Sequence, residues 1–194
     1  MAQPRARHGK FVLISGPAGS GKTTIVEATL KRCKTAARLV TTTTRLPRPG
    51  EVNGRDYWFT DEADFRRRIA EGEFLEWAET HGHLYGSSEA DLTRLLIGHS
   101  VVMGILDIKG TRLVRQKRPE TYAVFIEAGS LREIKRRLEL RPGITPEDLQ
   151  TRLRTAVVEQ QASFEYDRII VNRDGHLSEA IDRLVEILNG FLFG

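Results

Sequence analysis

The chain has 194 residues, 30 basic and 26 acidic, for a formal charge of +4. That length gives one domain with a sizeable core, and 40% hydrophobic with 29% charged residues excludes a disordered chain. The slight basic excess suits small anions and is too weak to argue for nucleic acid, and a lone cysteine, Cys33, excludes an internal disulfide and fits a reducing compartment.

The opening "MAQPRARHGK" is basic and polar, and residues 1–9 are expected to be disordered. The apolar run "FVLIS" (11–15) is too short for a signal sequence or a membrane span, so no membrane association and a cytoplasmic location are expected. It is the first of five nearly continuous apolar runs, followed by "RLVTT" (38–42), "VVMGILDI" (101–108), "YAVFIEA" (122–128) and "RIIVN" (168–172). Such runs read as strands buried on both faces. Helical patterns lie between most of them. One covers Thr23 to Lys34, and a second opens at Ser130 with Glu133 three residues on, a capping box. A third opens with Thr145 as N-cap and Pro146 at the first helical position, and "HLSEAIDRLVEILNGFL" closes the chain. Alternation of this kind predicts an α/β fold with a parallel sheet and Cys33 as a small buried residue.

Between the second and third runs the alternation breaks. "TTRLPRPGEVNGRDYWFT", a helix at 61–71, and the strand-like pieces "FLEWAET" and "HLYGSS" read as an α+β insertion over about 41–98, with Phe74 and Trp77 packing it. "LELRPGITPED" marks a second mobile piece, a lid at about 141–152. The core then comprises 10–40, 99–140 and 153–194 of one domain.

The chemistry starts in "GPAGSGKT" (16–23), between a strand and a helix. In this phosphate-binding loop the glycines Gly16, Gly19 and Gly21 let backbone N–H groups turn toward phosphate oxygens, Pro17, Ala18 and Ser20 complete the nucleotide-binding turn, and the helix N-terminus adds its dipole. Lys22 would bridge the β- and γ-phosphates of ATP, Thr23 would bind Mg²⁺, and Thr24 continues the nucleotide site. An acceptor phosphate needs its own grip. Arg45, Arg48 and Tyr57 fall within one turn-rich stretch held by prolines, and arginine forks suit a phosphate dianion.

In order and spacing, "GPAGSGKT", "TTRLPRPGEVNGRDYWF", "EGEFLEWAETHGHLYGS", a strand ending "LDI" and a final "IIVN" resemble the guanylate kinases over roughly residues 10–190. The resemblance implies a P-loop three-layer fold with a five-stranded parallel sheet, a GMP-binding insertion and a lid, and transfer of the ATP γ-phosphoryl group to GMP. It implies that Arg45, Arg48, Tyr57 and Tyr85 hold the GMP phosphate and that Thr41, Glu76 and Ser87 surround the guanine. For Glu76 the chemistry agrees: guanine offers N1–H and the 2-amino group side by side, a carboxylate accepts both, and adenine would leave it unpaired. Arg137, Arg141 and Arg152 are implied to neutralise the transferring group, the first two sharing a helix face, and Asn172 to lie near the adenine. ATP and GMP are the expected partners of a monomer or small homo-oligomer.

Departures are concentrated after the third strand. Where the family reads D-I-D-x-Q-G, this chain reads "LDIKG". Asp107 is read as the first acid, toward Mg²⁺ or substrate, Lys109 as replacing the second, and two residues as missing before Gly110. Two alternatives follow: a kinase of another phosphorylated acceptor, which would not need Glu76 and Thr41, and a non-catalytic binding module, which would not need an intact loop.

Overall fold

The computed structural model describes residues 9–80 and 82–193. The chain begins with β1 (Lys10–Ser15), α1 (Lys22–Arg32), β2 (Ala36–Leu39), β3 (Thr42–Thr43) and β4 (Trp58–Phe59). It continues through α2 (Glu62–Ala70), β5 (Phe74–Thr80), β6 (His83–Ser88), α3 (Glu89–Gly98), β7 (Val101–Ile105) and α4 (Ile108–Lys117). It ends with β8 (Tyr122–Ala128), α5 (Leu131–Glu139), α6 (Pro146–Gln160), β9 (Arg168–Asn172) and α7 (Leu177–Phe193).

The five expected strands form a parallel sheet in the order β2-β7-β1-β8-β9. Strand periodicity sends alternate side chains to opposite faces. Val12 and Ile14 of β1 pack with Ile25 and Val26 of α1 and Leu184 and Leu188 of α7. Phe11 and Leu13 pack with Leu92 and Leu96 of α3 and Val114 of α4. The result is the three-layer α/β arrangement. Full burial of each such side chain contributes about 1.5–3 kcal/mol, so this frame holds the loops at its edge in place.

A second sheet, ordered β4-β3-β6-β5, has its own core of Phe65, Phe74 and Leu84, with the two phenyl rings stacked at 4.5 Å. Phe74 packs this region as expected, whereas Trp77 is 42% exposed. Ile134 and Leu138 of α5 and Ala156 of α6 join Ala128 in a third cluster beyond β8. Gly9 N donates to Leu96 O at 2.8 Å, and the rest of the arm expected to be disordered lies outside the described residues. Among the described residues no helix is long and apolar enough to cross a membrane.

Four local expectations change. β2 lies two residues earlier than "RLVTT", and Thr42–Thr43 pair in the second sheet. The third core strand ends at Ile105 rather than 108, because Asp107 caps α4 with Oδ1 accepting from Gly110 N at 2.7 Å. α3 and α4 were not foreseen as helices. The capping box is half formed: Ser130 Oγ accepts from Glu133 N at 3.2 Å, but the Glu133 carboxylate accepts from Asp174 N at 2.9 Å.

Candidate active site

β1 is flanked by β7 and β8, so the chain leaving its C-terminal end enters the crevice where α/β sheets bind ligands. The loop Gly16–Gly21 runs there before α1. Gly21 has φ 94°, and a Cβ on it would stand 2.3 Å from Asn172 Nδ2, so glycine is required twice over. The Asn172 side chain is buried and donates to Ser20 O at 2.8 Å. Arg137 approaches the same loop, donating to Gly19 O at 3.3 Å, Asn172 O at 2.8 Å and Asp174 Oδ1 at 2.8 Å. Both therefore brace the loop, and neither lines the cleft between this loop and the second sheet. Lys22 does line it. Nζ donates to Gly16 O at 2.5 Å and Pro17 O at 2.9 Å. Part of the side chain faces the open cleft, yet crowding around Nζ pushes its pKa down to about 8. Desolvation is the main cause, Glu159 opposing it and Arg141 adding to it. Thr23 and Thr24 are exposed in the first turn of α1.

The cleft has a volume of about 410 Å³ and joins the loop to the second sheet. Thr41, Arg45, Arg48, Tyr57, Glu76 and Tyr85 all line it. Tyr57 and Tyr85 meet edge to face at 6.1 Å, and burial raises the Tyr57 pKa. The register of β5 against β6 slips between Phe74 and Glu76, a bulge that buries Phe74, Leu75 and Glu76 in succession. Phe74 joins the small core and Leu75 the main one, leaving the carboxylate of Glu76 to the cleft. Glu76 is 5% exposed. Its Oε1 and the Oγ of Ser87, opposite it in the ladder, are buried without a hydrogen-bond partner among the described residues. Burial pushes the Glu76 pKa up to about 7, Ser87 nearby softening the rise and Asp107 adding to it. A buried acceptor without a donor is costly unless a ligand supplies one.

The third wall comes from Arg141 and from α6, which presents Asp148, Arg152, Thr155 and Glu159. Arg141 and Arg137 do not share a helix face. α5 ends at Glu139, and Arg141 N turns back to Leu138 O at 3.0 Å, so Arg141 faces the cleft while Arg137 stays behind the loop. Desolvation, then Arg48 and Arg152, lower the Arg141 pKa, as expected of cations gathered for an anion.

The segment after β7 differs from the expectation. Asp107 stands three residues before Gly110, the separation that D-x-Q-G requires, and the chain passes directly into α4. No residue is missing. Asp107 therefore matches the second acid, and Lys109 takes the glutamine position. Asp107 lines the cleft, with Oδ2 accepting from Thr80 Oγ1 at 3.1 Å, whereas Lys109 is exposed and absent from the lining. Gly110 packs on Glu76: a Cβ there would sit 2.9 Å from Oε2.

Sequence reasoning missed Thr80, His83, Asp148, Thr155 and Glu159 in the lining. The helical spacing of Asp148, Arg152, Thr155 and Glu159, a stripe of one face, was the available signal. Burial raises the Glu159 pKa, with Lys22 opposing.

The chain matches the family model for guanylate kinase over residues 8–190. It is 43% identical over 189 residues to the guanylate kinase of Rubrobacter xylanophilus, covering 97% of each chain. It is 41% identical over 180 residues to that of Thermobifida fusca, covering 92% of this chain and 90% of the relative. The crystal structure of guanylate kinase from Anaplasma phagocytophilum is similar with a TM-score of 0.78 at 26% identity, over 97% of this chain and 88% of that one.

Proposed function

The chain belongs to the guanylate kinase family, and from that premise we propose how it transfers the γ-phosphoryl group of ATP to GMP, giving ADP and GDP. The observation that carries the reading is that Lys22, Arg45, Arg48 and the buried Glu76 line one cleft. ATP phosphates lie against the backbone N–H groups that the non-proline residues of the loop Gly16–Gly21 and the start of α1 offer, with Lys22 exchanging its loop carbonyls for β- and γ-oxygens. Thr24 borders this site, and Asn172 and Arg137 act by fixing the loop.

GMP enters beneath the second sheet, about residues 41–88. Arg45, Arg48, Tyr57 and Tyr85 take its phosphate, and Glu76 takes guanine N1–H and the 2-amino group, with Thr41, Ser87 and Asp107 around the base. The lid, about 141–152, brings Arg141 and Arg152 to the transferring group. Transfer of this kind depends on positioning and charge stabilisation, with little covalent chemistry left to the protein.

Mg²⁺ suits the oxygen donors present. Among the described residues no cluster of three or more His, Cys, Asp or Glu forms a dedicated metal cage, and Mg²⁺ commonly binds through one or two protein oxygens, waters and substrate phosphates. The exposed Thr23 hydroxyl would hold it, with Asp107 toward its waters, and when bound it supplies charge neutralisation at the β- and γ-phosphates. The intact loop argues against a non-catalytic module, and the buried Glu76 argues against an acceptor without guanine. A reducing cytoplasm suits the buried free thiol of Cys33. Coupled steady-state assays with ATP against GMP, AMP, CMP and UMP test the reading. GMP is expected to exceed the others by at least about 10³ in kcat/KM, and a comparable rate with AMP would overturn it.

A further inference from the structure

Arg45 and Arg48 belong to one short turn, and a single carboxylate gathers it. Both oxygens of Glu51 accept from Arg45 Nη2 at 2.9 Å, and Oε2 also accepts the backbone N–H of Arg48 at 2.8 Å. Glu51 N donates in turn to Arg48 O at 3.0 Å, so the turn is closed in both directions. Arg45 Nη1 donates to Leu46 O at 2.6 Å, and the guanidinium lies 5.2 Å from the Tyr57 ring centre and 5.7 Å from that of Phe59. The pair is well covered, its side chains 11% and 18% exposed. Burial works against the charge of Arg45, and Glu51 more than offsets it.

A carboxylate beside a phosphate site has two opposed effects. Its charge repels the incoming dianion. Its hydrogen bonds order a long, flexible arginine before the ligand arrives, which removes part of the entropy lost on binding. The geometry decides between them. Glu51 occupies only Nη2 of Arg45 and Leu46 O takes one Nη1 hydrogen, so of the five N–H donors of the guanidinium Nε–H and the second Nη1 hydrogen stay open to a second anion. The same carboxylate also fixes the backbone that carries Arg48. We propose that Glu51 is a positioning residue for the GMP phosphate: it presets Arg45 and Arg48, and its net effect is to tighten GMP.

This rests on the reading of the cleft as the GMP site. The test compares Glu51→Ala and Glu51→Gln with wild type in steady-state kinetics for both substrates and in calorimetric titrations with GMP and with guanosine, which lacks the phosphate. Glu51→Ala is expected to raise KM for GMP at least about tenfold, with kcat and KM for ATP within threefold and guanosine affinity within twofold. Glu51→Gln keeps an acceptor for Arg48 N but loses the charge, and should fall between. An unchanged or lowered KM for GMP in Glu51→Ala would overturn the proposal and make Glu51 a bystander or competitor. Equal losses for GMP and guanosine would also overturn it, since they signal general distortion. If the alanine variant does not fold, the glutamine variant decides by the same criteria. Wild type that binds no GMP would overturn both readings, whereas normal wild-type binding with unaltered variants overturns only this one.

Discussion

Replacing Glu76 by glutamine should weaken the catalyst and change how its stability depends on pH. In the folded protein burial lifts this carboxyl from 4.5 to about 7. The sign follows from proton counting. Between those values the folded state holds the proton more firmly than the unfolded chain, so wild-type stability falls as pH rises. Each pKa step of one corresponds to about 1.4 kcal/mol, and between pH 5 and pH 8 the group's contribution drops by roughly 2–3 kcal/mol. Glutamine does not ionise. Its own packing and unpaired amide add an offset of about 1–3 kcal/mol, but that offset is independent of pH. Urea unfolding of both proteins at pH 5, 6.5 and 8 therefore isolates the ionisation: Glu76→Gln should gain roughly 2–3 kcal/mol relative to wild type across that range. Meanwhile kcat/KM for GMP should fall at least about tenfold, as for loss of a charge-assisted hydrogen bond, and the weak AMP reaction much less. Parallel pH dependences would refute the burial argument. Equal losses for GMP and AMP would refute its assignment to the base.

Further outcomes follow from the same geometry. Lys22 loses its charge as pH passes about 8, so kcat/KM for ATP should fall roughly tenfold per pH step above that value, and Lys22→Met should lower kcat by about 10²–10³ while the protein stays folded. A flat alkaline profile or a fully active methionine variant would contradict this role. Gly110→Ala places a Cβ 2.9 Å from the Glu76 carboxylate, so KM for GMP should rise about tenfold; an unchanged KM would show that Gly110 does not seat Glu76. Lys109→Ala removes an exposed side chain and should leave kcat/KM for GMP within about twofold, as single-variant kinetics will show.

Continuous apolar runs made the five core strands legible, because a parallel sheet buried on both faces leaves no polar alternation to confuse with anything else. The loop, the arginine turn and Tyr57 were legible from the residues themselves, and Tyr85 only through the family resemblance. What escaped had a physical reason in each case. In "LDIKG" the apolar Leu106 and Ile108 read as strand, and the signal that mattered was Asp107 as an N-cap, which also reveals that no residue is missing before Gly110. Arg137 and Arg141 sit four apart, but Pro142 and Gly143 immediately beyond were the stop signal, and the helix had already ended at Glu139. The burial of Glu76 depends on a bulge in β5, which a period-two reading of "FLEWAET" cannot show. Glu51 was invisible as a positioning group because its three bonds are made within a turn whose shape only the coordinates supply.

In the proposed reaction the γ-phosphoryl group passes to the phosphate of GMP and not to water. Phosphorus-31 NMR of pure protein with Mg²⁺, ATP and GMP follows every species at once. ATP and GMP are expected to disappear together, with ADP and GDP appearing in equal amounts and no inorganic phosphate accumulating. ADP and inorganic phosphate forming while GMP persists would contradict it.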